Sequence, residues 1–179
     1  MIKKEIFNGV LQIQPVAYED ERGSFTEIYN KKEFEKLGIN NNFVQDNISF
    51  SKKRGTLRGL HFQLDPYEQS KLIKVIKGNI LDVFVDIRPD SNSFGEYSSI
   101  KISEDSGWIY IPKGFAHGFI TLEDNTTVMY KVDEFYSTDH ECGIIWNDSV
   151  LQIDWKFTEN IILSEKDRKL SKWDELFAQ

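Results

Sequence analysis

The stretch Leu72-Ile73-Lys74-Val75-Ile76-Lys77-Gly78-Asn79-Ile80-Leu81-Asp82-Val83-Phe84-Val85-Asp86-Ile87 decides the fold class. Two apolar runs flank Lys77-Gly78-Asn79, a tight-turn signal, so the segment reads as a β-hairpin. The second run alternates poorly. Leu81, Val83, Phe84 and Val85 crowd together, as in a strand buried on both faces, which predicts a central position in its sheet.

Working outward, strand-like runs recur at short spacing: Ile6–Ile13, Ser24–Tyr29, Phe43–Phe50, Gly59–Gln63, Ser98–Ile102, Trp108–Ile111, Gly118–Leu122 and Thr127–Val132. The chain has three alanines (Ala17, Ala116, Ala178) and abundant Phe, Ile, Val, Tyr and Trp, a bias that suits pleated surfaces better than helices. An all-β sandwich or barrel is expected. Asn30 with Glu33 resembles a capping box opening a helix over Lys31–Leu37, and Gly38 closes it. Ser164 before Glu165-Lys166-Asp167 and Ser171 before Trp173 to Phe177 predict two C-terminal helical turns.

Composition bounds the function. The chain has 179 residues, 40% hydrophobic, 28% charged and 13% aromatic, which fits one globular domain over 1–179. With 22 Lys and Arg against 29 Asp and Glu the net charge is −7, and no basic run tracks a phosphate backbone, so no nucleic-acid partner is expected. No stretch is long and apolar enough to span a bilayer, and Met1 to Ile13 carries charges without an apolar core, so no membrane partner and a cytoplasmic location are expected. The single cysteine, Cys142, fits a reducing compartment.

The three histidines are His61, His117 and His140. In Leu57-Arg58-Gly59-Leu60-His61-Phe62-Gln63, strand alternation puts Gly59, His61 and Gln63 on one face and Arg58, Leu60 and Phe62 on the other. Lys71 starts the next apolar run. Taken alone, His61 reads as a hydrogen-bonded core histidine and Lys71 as a solvated strand end no less than as reactive groups. His140 and Cys142 flank Glu141 without a motif of their own.

His117 closes Pro112-Lys113-Gly114-Phe115-Ala116-His117, which resembles the second motif of the cupin superfamily, the double-stranded β-helices of jelly-roll type. The metal-binding first motif of that superfamily needs an H-x-H pair and a following Glu. Here the corresponding place holds His61-Phe62-Gln63, so the expectation is a cupin with no metal.

Six ordered segments then carry a more specific resemblance: Asp20-Glu21-Arg22-Gly23-Ser24-Phe25-Thr26-Glu27, Phe43-Val44-Gln45-Asp46-Asn47, Leu57 to Gln63, Asp86-Ile87-Arg88, Ile111 to Phe119, and Leu163-Ser164-Glu165-Lys166-Asp167. Together they resemble the dTDP-4-dehydrorhamnose 3,5-epimerase family over nearly the whole chain. The resemblance implies a homodimeric jelly roll with no cofactor, acting on a dTDP-4-keto-6-deoxyhexose. Its C4 ketone acidifies the C3 and C5 protons only if the enolate oxygen is stabilised.

By that resemblance His61 is the base and Asp167 its orienting carboxylate. Lys71 and Arg58 form the polar cradle of the enolate, and Tyr130 is the acid on the opposite face of the sugar. It also implies substrate contacts for Arg22, Phe25, Glu27, Gln45, Asp46, Asn47, Arg58, His117, Glu141 and Lys166, and stacking on thymine for Tyr136. The arm around Arg22 to Glu27 belongs, in the family, to the neighbouring subunit. Phe62 and Phe135 stand where the family frequently has Tyr, a departure that touches sugar contacts and no proton-transfer group. The leading expectation is therefore an isomerase that inverts C3 and C5 of dTDP-4-dehydro-6-deoxy-D-glucose, in dTDP-L-rhamnose biosynthesis. Its rivals are a single-centre epimerase, a ketoisomerase of the same fold, a non-catalytic sugar-nucleotide binding module and a metal-dependent cupin oxygenase.

Overall fold

A computed structural model describes residues 1–177. Its strands are β1 (Ile2–Phe7), β2 (Val10–Gln14), β3 (Ala17–Asp20), β4 (Gly23–Thr26), β5 (Gln45–Ser51), β6 (Leu57–Gln63), β7 (Lys71–Lys77), β8 (Asn79–Asp86), β9 (Tyr97–Ser103), β10 (Trp108–Ile111), β11 (Phe115–Thr121), β12 (Thr126–Val132) and β13 (Glu141–Gly143). Two short helices, α1 (Lys31–Lys36) and α2 (Trp173–Phe177), complete the regular structure with three 3-10 turns. The class is all-β. A six-stranded sheet runs β1-β2-β10-β7-β12-β5, a five-stranded sheet runs β13-β6-β11-β8-β9, and β3-β4 form a separate hairpin.

The two large sheets lie face to face as a jelly roll. Val10, Ile73, Val75, Ile109, Ile111 and Val128 of the first pack against Ile80, Phe84, Ile102, Phe115 and Phe119 of the second. The outer face of the five-stranded sheet is covered too: Leu57, Leu60, Phe62, Leu81, Val83 and Val85 pack under Leu151, Trp155 and Trp173 of the C-terminal segment. That cover explains why β8 alternates poorly. Ile80 and Phe84 fill the core between the sheets while Leu81, Val83 and Val85 fill the layer beneath the C-terminal segment. Truncating Phe84 to Ala would cost about 3–5 kcal/mol.

The deciding stretch departs from expectation in one respect. Lys77-Gly78-Asn79 does make a tight turn, with Gly78 at φ +85°, but β7 and β8 do not pair. The turn carries the chain from one sheet to the other, with the Gly78 N–H donating to Glu104 Oε1 at 3.0 Å. β8 is an interior strand as expected, pairing with β11 on one side and β9 on the other, and β11 in turn pairs with β6. A true hairpin lies within Ile6–Ile13, read as one strand: Asn8 and Gly9 both have positive φ and join β1 to β2, the signature of a two-residue turn.

The remaining helix signals are met with altered caps. Asn30 Oδ1 accepts from the Lys32 N–H at 3.0 Å, while Glu33 pairs with Lys36 rather than closing a capping box. At the C-terminal end Ser164 Oγ accepts from the Asp167 N–H at 3.0 Å, starting the 3-10 turn Asp167–Lys169. Asp148 rather than Ser171 accepts from the Trp173 N–H, at 2.9 Å. Among the described residues no helix is long and apolar enough to cross a membrane.

Candidate active site

A cavity of about 530 Å³ opens between the two sheets at the end where β6, β11, β7 and β12 present polar side chains. Its walls come from different sheets: His61 and His117 stand on β6 and β11, Lys71 and Tyr130 on β7 and β12.

The local structure of β6 sets His61. Arg58 pairs with Phe119 and His61 with His117, so β6 takes three steps where β11 takes two. The extra residue is Gly59, at φ +110°. A Cβ there would lie 2.6 Å from the His117 carbonyl oxygen and 2.7 Å from Gly118 Cα, so only glycine fits. The bulge corrects the alternation expected for this strand. Leu57, Leu60 and Phe62 turn to the outer core, while Arg58, His61 and Gln63 all border the cavity. Arg58 is thus on the same face as His61.

His61 Nε2 meets Asp167 Oδ1 at 2.6 Å. The two are 106 positions apart, joined by the C-terminal turn that folds back over β6. Burial alone would raise the Asp167 carboxyl, but the His61 hydrogen bond and charge, with Ser164 and Lys166, hold it below the usual carboxylate range. An ionised Asp167 fixes the Nε2–H tautomer and leaves His61 Nδ1 with a free lone pair, the arrangement of a general base.

Lys71 donates from Nζ to the His61 carbonyl at 3.3 Å and is buried. Burial lowers its ammonium to about 8, against the opposing charges of Asp82 and Glu141. A cation in so dry a place interacts strongly with any oxyanion beside it. Tyr130 borders the same cavity. Burial raises its phenol, with Arg58 opposing and Glu141 adding to the rise, so the hydroxyl keeps its proton at neutral pH. His117 is buried, and its Nε2 meets Asp82 Oδ1 at 2.7 Å. Burial lowers the imidazole despite Asp82, and the nearby Lys71 and His61 lower it further.

At the mouth, Tyr136 Oη and Lys166 Nζ both donate to Glu141 Oε2. Burial pushes the Glu141 carboxyl up, but Lys166 and Tyr136 bring it below its ordinary value. Arg58 is held by the Phe50 carbonyl at 3.2 Å and Ser51 Oγ at 3.4 Å.

The structure therefore brings His61, Asp167, Lys71, Tyr130, Arg58 and His117 to one cavity, with Tyr136, Glu141 and Lys166 at its rim. It leaves six expected contacts outside the cavity lining. Gln45, Asp46 and Asn47 lie along β5. Gln45 bonds Asn47 at 2.9 Å and accepts from the Tyr136 N–H at 3.3 Å, and Asp46 is paired with Lys131 at 2.6 Å. Arg22, Phe25 and Glu27 sit on or beside the exposed β3–β4 hairpin, with Arg22 bound to its neighbour Asp20. His140 meets Ser137 Oγ at 2.8 Å and packs against the Tyr67 ring at a tilt, outside the cavity lining. Among the described residues no three His, Cys, Asp or Glu side chains converge to hold a metal ion.

Two polar residues escaped the sequence reading. Ser49 borders the cavity with a buried hydroxyl lacking a partner among the described residues; its alternation with Gln45 and Asn47 on β5 was the available signal. Asp82, behind His117, was signalled by a carboxylate inside an apolar strand.

Comparison with known proteins agrees with this geometry. The sequence model of dTDP-4-dehydrorhamnose 3,5-epimerase matches residues 4–175. A protein of that name from Escherichia coli is 46% identical over 178 residues, covering 98% of this chain and 95% of its own. A crystal structure of the Bacillus anthracis protein of that name, with TDP and PPi bound, superposes with a TM-score of 0.90 at 49% identity, over 96% of this chain and 99% of that one. The Legionella pneumophila epimerase, in complex with dTDP-4-keto-L-rhamnose, superposes with a TM-score of 0.88 at 40% identity, over 94% and 90% of the two chains. With a match of that extent and a cavity whose two walls carry a histidine–aspartate dyad and a lysine with a tyrosine, the chain belongs to the dTDP-4-dehydrorhamnose 3,5-epimerase family.

Proposed function

We propose that this isomerase inverts C3 and C5 of dTDP-4-dehydro-6-deoxy-D-glucose, giving dTDP-4-dehydro-L-rhamnose. The observation that carries the proposal is that His61 and Tyr130 enter one cavity from opposite sheets. A sugar ring lying between them meets a base on one face and an acid on the other, as inversion requires.

In each inversion His61 Nδ1 takes the proton from carbon, and the C–H electron pair moves into the C4 carbonyl to form an enolate. The Lys71 ammonium neutralises the charge growing on O4, and Asp167 steadies the imidazolium. Collapse of the enolate takes a proton from the Tyr130 hydroxyl on the other face. The resulting tyrosinate is reprotonated from solvent as His61 releases its proton, so the site returns to its starting state with no net proton gained. The same groups serve C3 and C5 in turn as the ring is repositioned.

The mouth residues Tyr136, Glu141 and Lys166, with Arg58 and His117 inside, bind the nucleotide sugar. Arg22, Phe25, Glu27, Gln45, Asp46 and Asn47 complete the site in a homodimer, the hairpin of one copy reaching the cavity of the other. Support comes from the hairpin itself: Tyr18 and Phe25, opposite each other across β3 and β4, are 66% and 71% exposed, an apolar pair of the kind a partner subunit covers. The chain works as one unit over 1–179, in the cytoplasm, where Cys142 stays a free thiol.

Incubation with the 4-keto-6-deoxyglucose nucleotide in heavy water tests this reading. Deuterium at both C3 and C5 with the L-lyxo product is expected. Deuterium and inversion at one carbon alone would make the chain a single-centre epimerase, and neither would leave it a binding module.

A further inference from the structure

Gln63 stands two residues after His61, where a metal-binding first motif would place its second histidine. Its side chain is buried and fully engaged. Nε2 donates to the Tyr67 carbonyl at 2.6 Å and to the Phe135 carbonyl at 3.1 Å, and Oε1 accepts from the Ser137 N–H at 2.7 Å. Tyr67 belongs to the loop between β6 and β7, whereas Phe135 and Ser137 belong to the loop between β12 and β13. One carboxamide thus joins two loops that each cross between the two sheets, and it brackets Tyr136 on both sides.

We infer that Gln63 is a positioning residue for the nucleotide end of the cavity, a clamp that holds Tyr136 in its binding arrangement. The inference rests on the assignment of Tyr136 to the nucleotide proposed above.

The chemistry needs an amide. The site offers two carbonyl acceptors on one side and one N–H donor on the other, and an uncharged group carrying two N–H donors and an acceptor satisfies all three. Histidine carries one donor and one acceptor. Glutamate keeps the acceptor and turns a negative oxygen on both carbonyls. Methionine fills the space and leaves all three backbone groups unpaired. Other bonds between the loops, Gln69 Nε2 to the Glu134 carbonyl at 2.8 Å and the Ser70 N–H to Asp133 Oδ1 at 2.6 Å, sit nearer Lys71. They keep the loops together when Gln63 is changed, so the loss falls on the segment 135–137. Tyr136 itself is 52% exposed and has one further backbone tie, its N–H to Gln45 Oε1 at 3.3 Å. Its hydroxyl donates to Glu141 Oε2, so the ring's tip is tied at the mouth while Gln63 fixes the backbone on either side of it.

The test measures dTDP binding by calorimetry, with KM and kcat for the 4-keto sugar nucleotide, in the wild type, Gln63→Glu, Gln63→Met, Tyr136→Ala and the Gln63→Glu/Tyr136→Ala pair. Both Gln63 variants should bind dTDP roughly tenfold more weakly, the scale of losing a buried hydrogen-bonded clamp. KM should rise more than kcat falls, because the groups that move protons stay in place. In the Tyr136→Ala background, Gln63→Glu should add little, because the residue it positions has gone. Should Gln63→Met fail to fold, Gln63→Glu, which keeps the bond to Ser137, carries the test alone. Unchanged dTDP affinity in a folded Gln63 variant, fully additive losses in the pair, or a fall in kcat at unchanged KM would each overturn the inference. Failure of the wild type itself to bind dTDP would overturn it together with the proposed function, and is told apart by needing no variant.

Discussion

The cavity wall and the β3–β4 hairpin carry expected site residues in opposite physical states. His61, Lys71, Asp167 and His117 are partly or wholly buried, each held by a bond to another strand or turn. Arg22, Phe25 and Glu27 are exposed, and among the described residues the hairpin's one ion pair is local, Arg22 to Asp20. Groups that move protons need fixed geometry and a low dielectric, which the two packed sheets supply within one chain. Groups that grip a charged, mobile nucleotide can come from an arm, provided something else orders the arm. Under the proposed function the chemistry falls to the sheets and part of the binding to assembly, and that division can be attacked from either side.

The largest effect is expected on the chemical side. Replacing His61 by Asn should leave fold and dTDP binding intact while proton exchange at C3 and C5 falls together, on the order of a hundred- to ten-thousand-fold. NMR of the sugar in heavy water reads both carbons at once. Survival of exchange at either carbon near the wild-type rate would mean that a second base exists.

A smaller effect follows from Lys71. Its ammonium, lowered to about 8 by burial, is harder to charge in the folded protein than in the unfolded chain. The charged form therefore costs stability below that pH, and the cost is relieved as pH rises through 8 toward the ordinary lysine value. The rate has the opposite sense: loss of the cation beside O4 should make kcat/KM fall above about pH 8, approaching tenfold per unit. In Lys71→Arg, slower overall, that alkaline limb should disappear from the measured range. A wild-type profile flat to pH 9.5 would show that substrate is stabilised by another cation.

The assembly side gives the smallest signal. Arg22→Ala should change stability by less than about 0.5 kcal/mol, as for an exposed residue away from any core, yet weaken substrate binding. Mixed with His61→Asn after subunit exchange, it should restore up to about a quarter of the wild-type sites, since half the dimers are mixed and each has one intact site. No recovery despite demonstrated exchange would place Arg22 in its own chain's site.

How far the sequence reached depended on whether the deciding contact was local. Strand positions were legible because β-branched and aromatic runs report a pleated, half-buried surface, and Trp108–Ile111 ends where it was read. The partner of each strand was not. Lys77-Gly78-Asn79 carries a turn signal that is the same whether the next strand pairs back or crosses to the facing sheet. Asn8-Gly9 was a local signal overlooked inside an apolar run. On β6 the alternation rule failed at Gly59, because the crowding that demands a glycine comes from His117 and Gly118 on another strand. The dyad of His61 and Asp167 was reachable only by resemblance, since no spacing rule links positions so far apart. Gln63 was noted for the histidine it replaces, and its three backbone partners emerge only once two loops are folded over it.

Inversion requires a base and an acid facing each other across the sugar, and Tyr130→Phe probes this arrangement directly. The substitution removes one hydroxyl and keeps the ring's packing on β12. With the 4-keto-6-deoxyglucose nucleotide in heavy water, deuterium incorporation at retained configuration and the yield of inverted product are followed together. Exchange should continue, because His61 can return a proton to the face it came from and Lys71 still stabilises the enolate. Inversion should fall on the order of a hundredfold, the typical weight of a general acid. Inversion at the wild-type rate, or loss of exchange in equal measure, would contradict it.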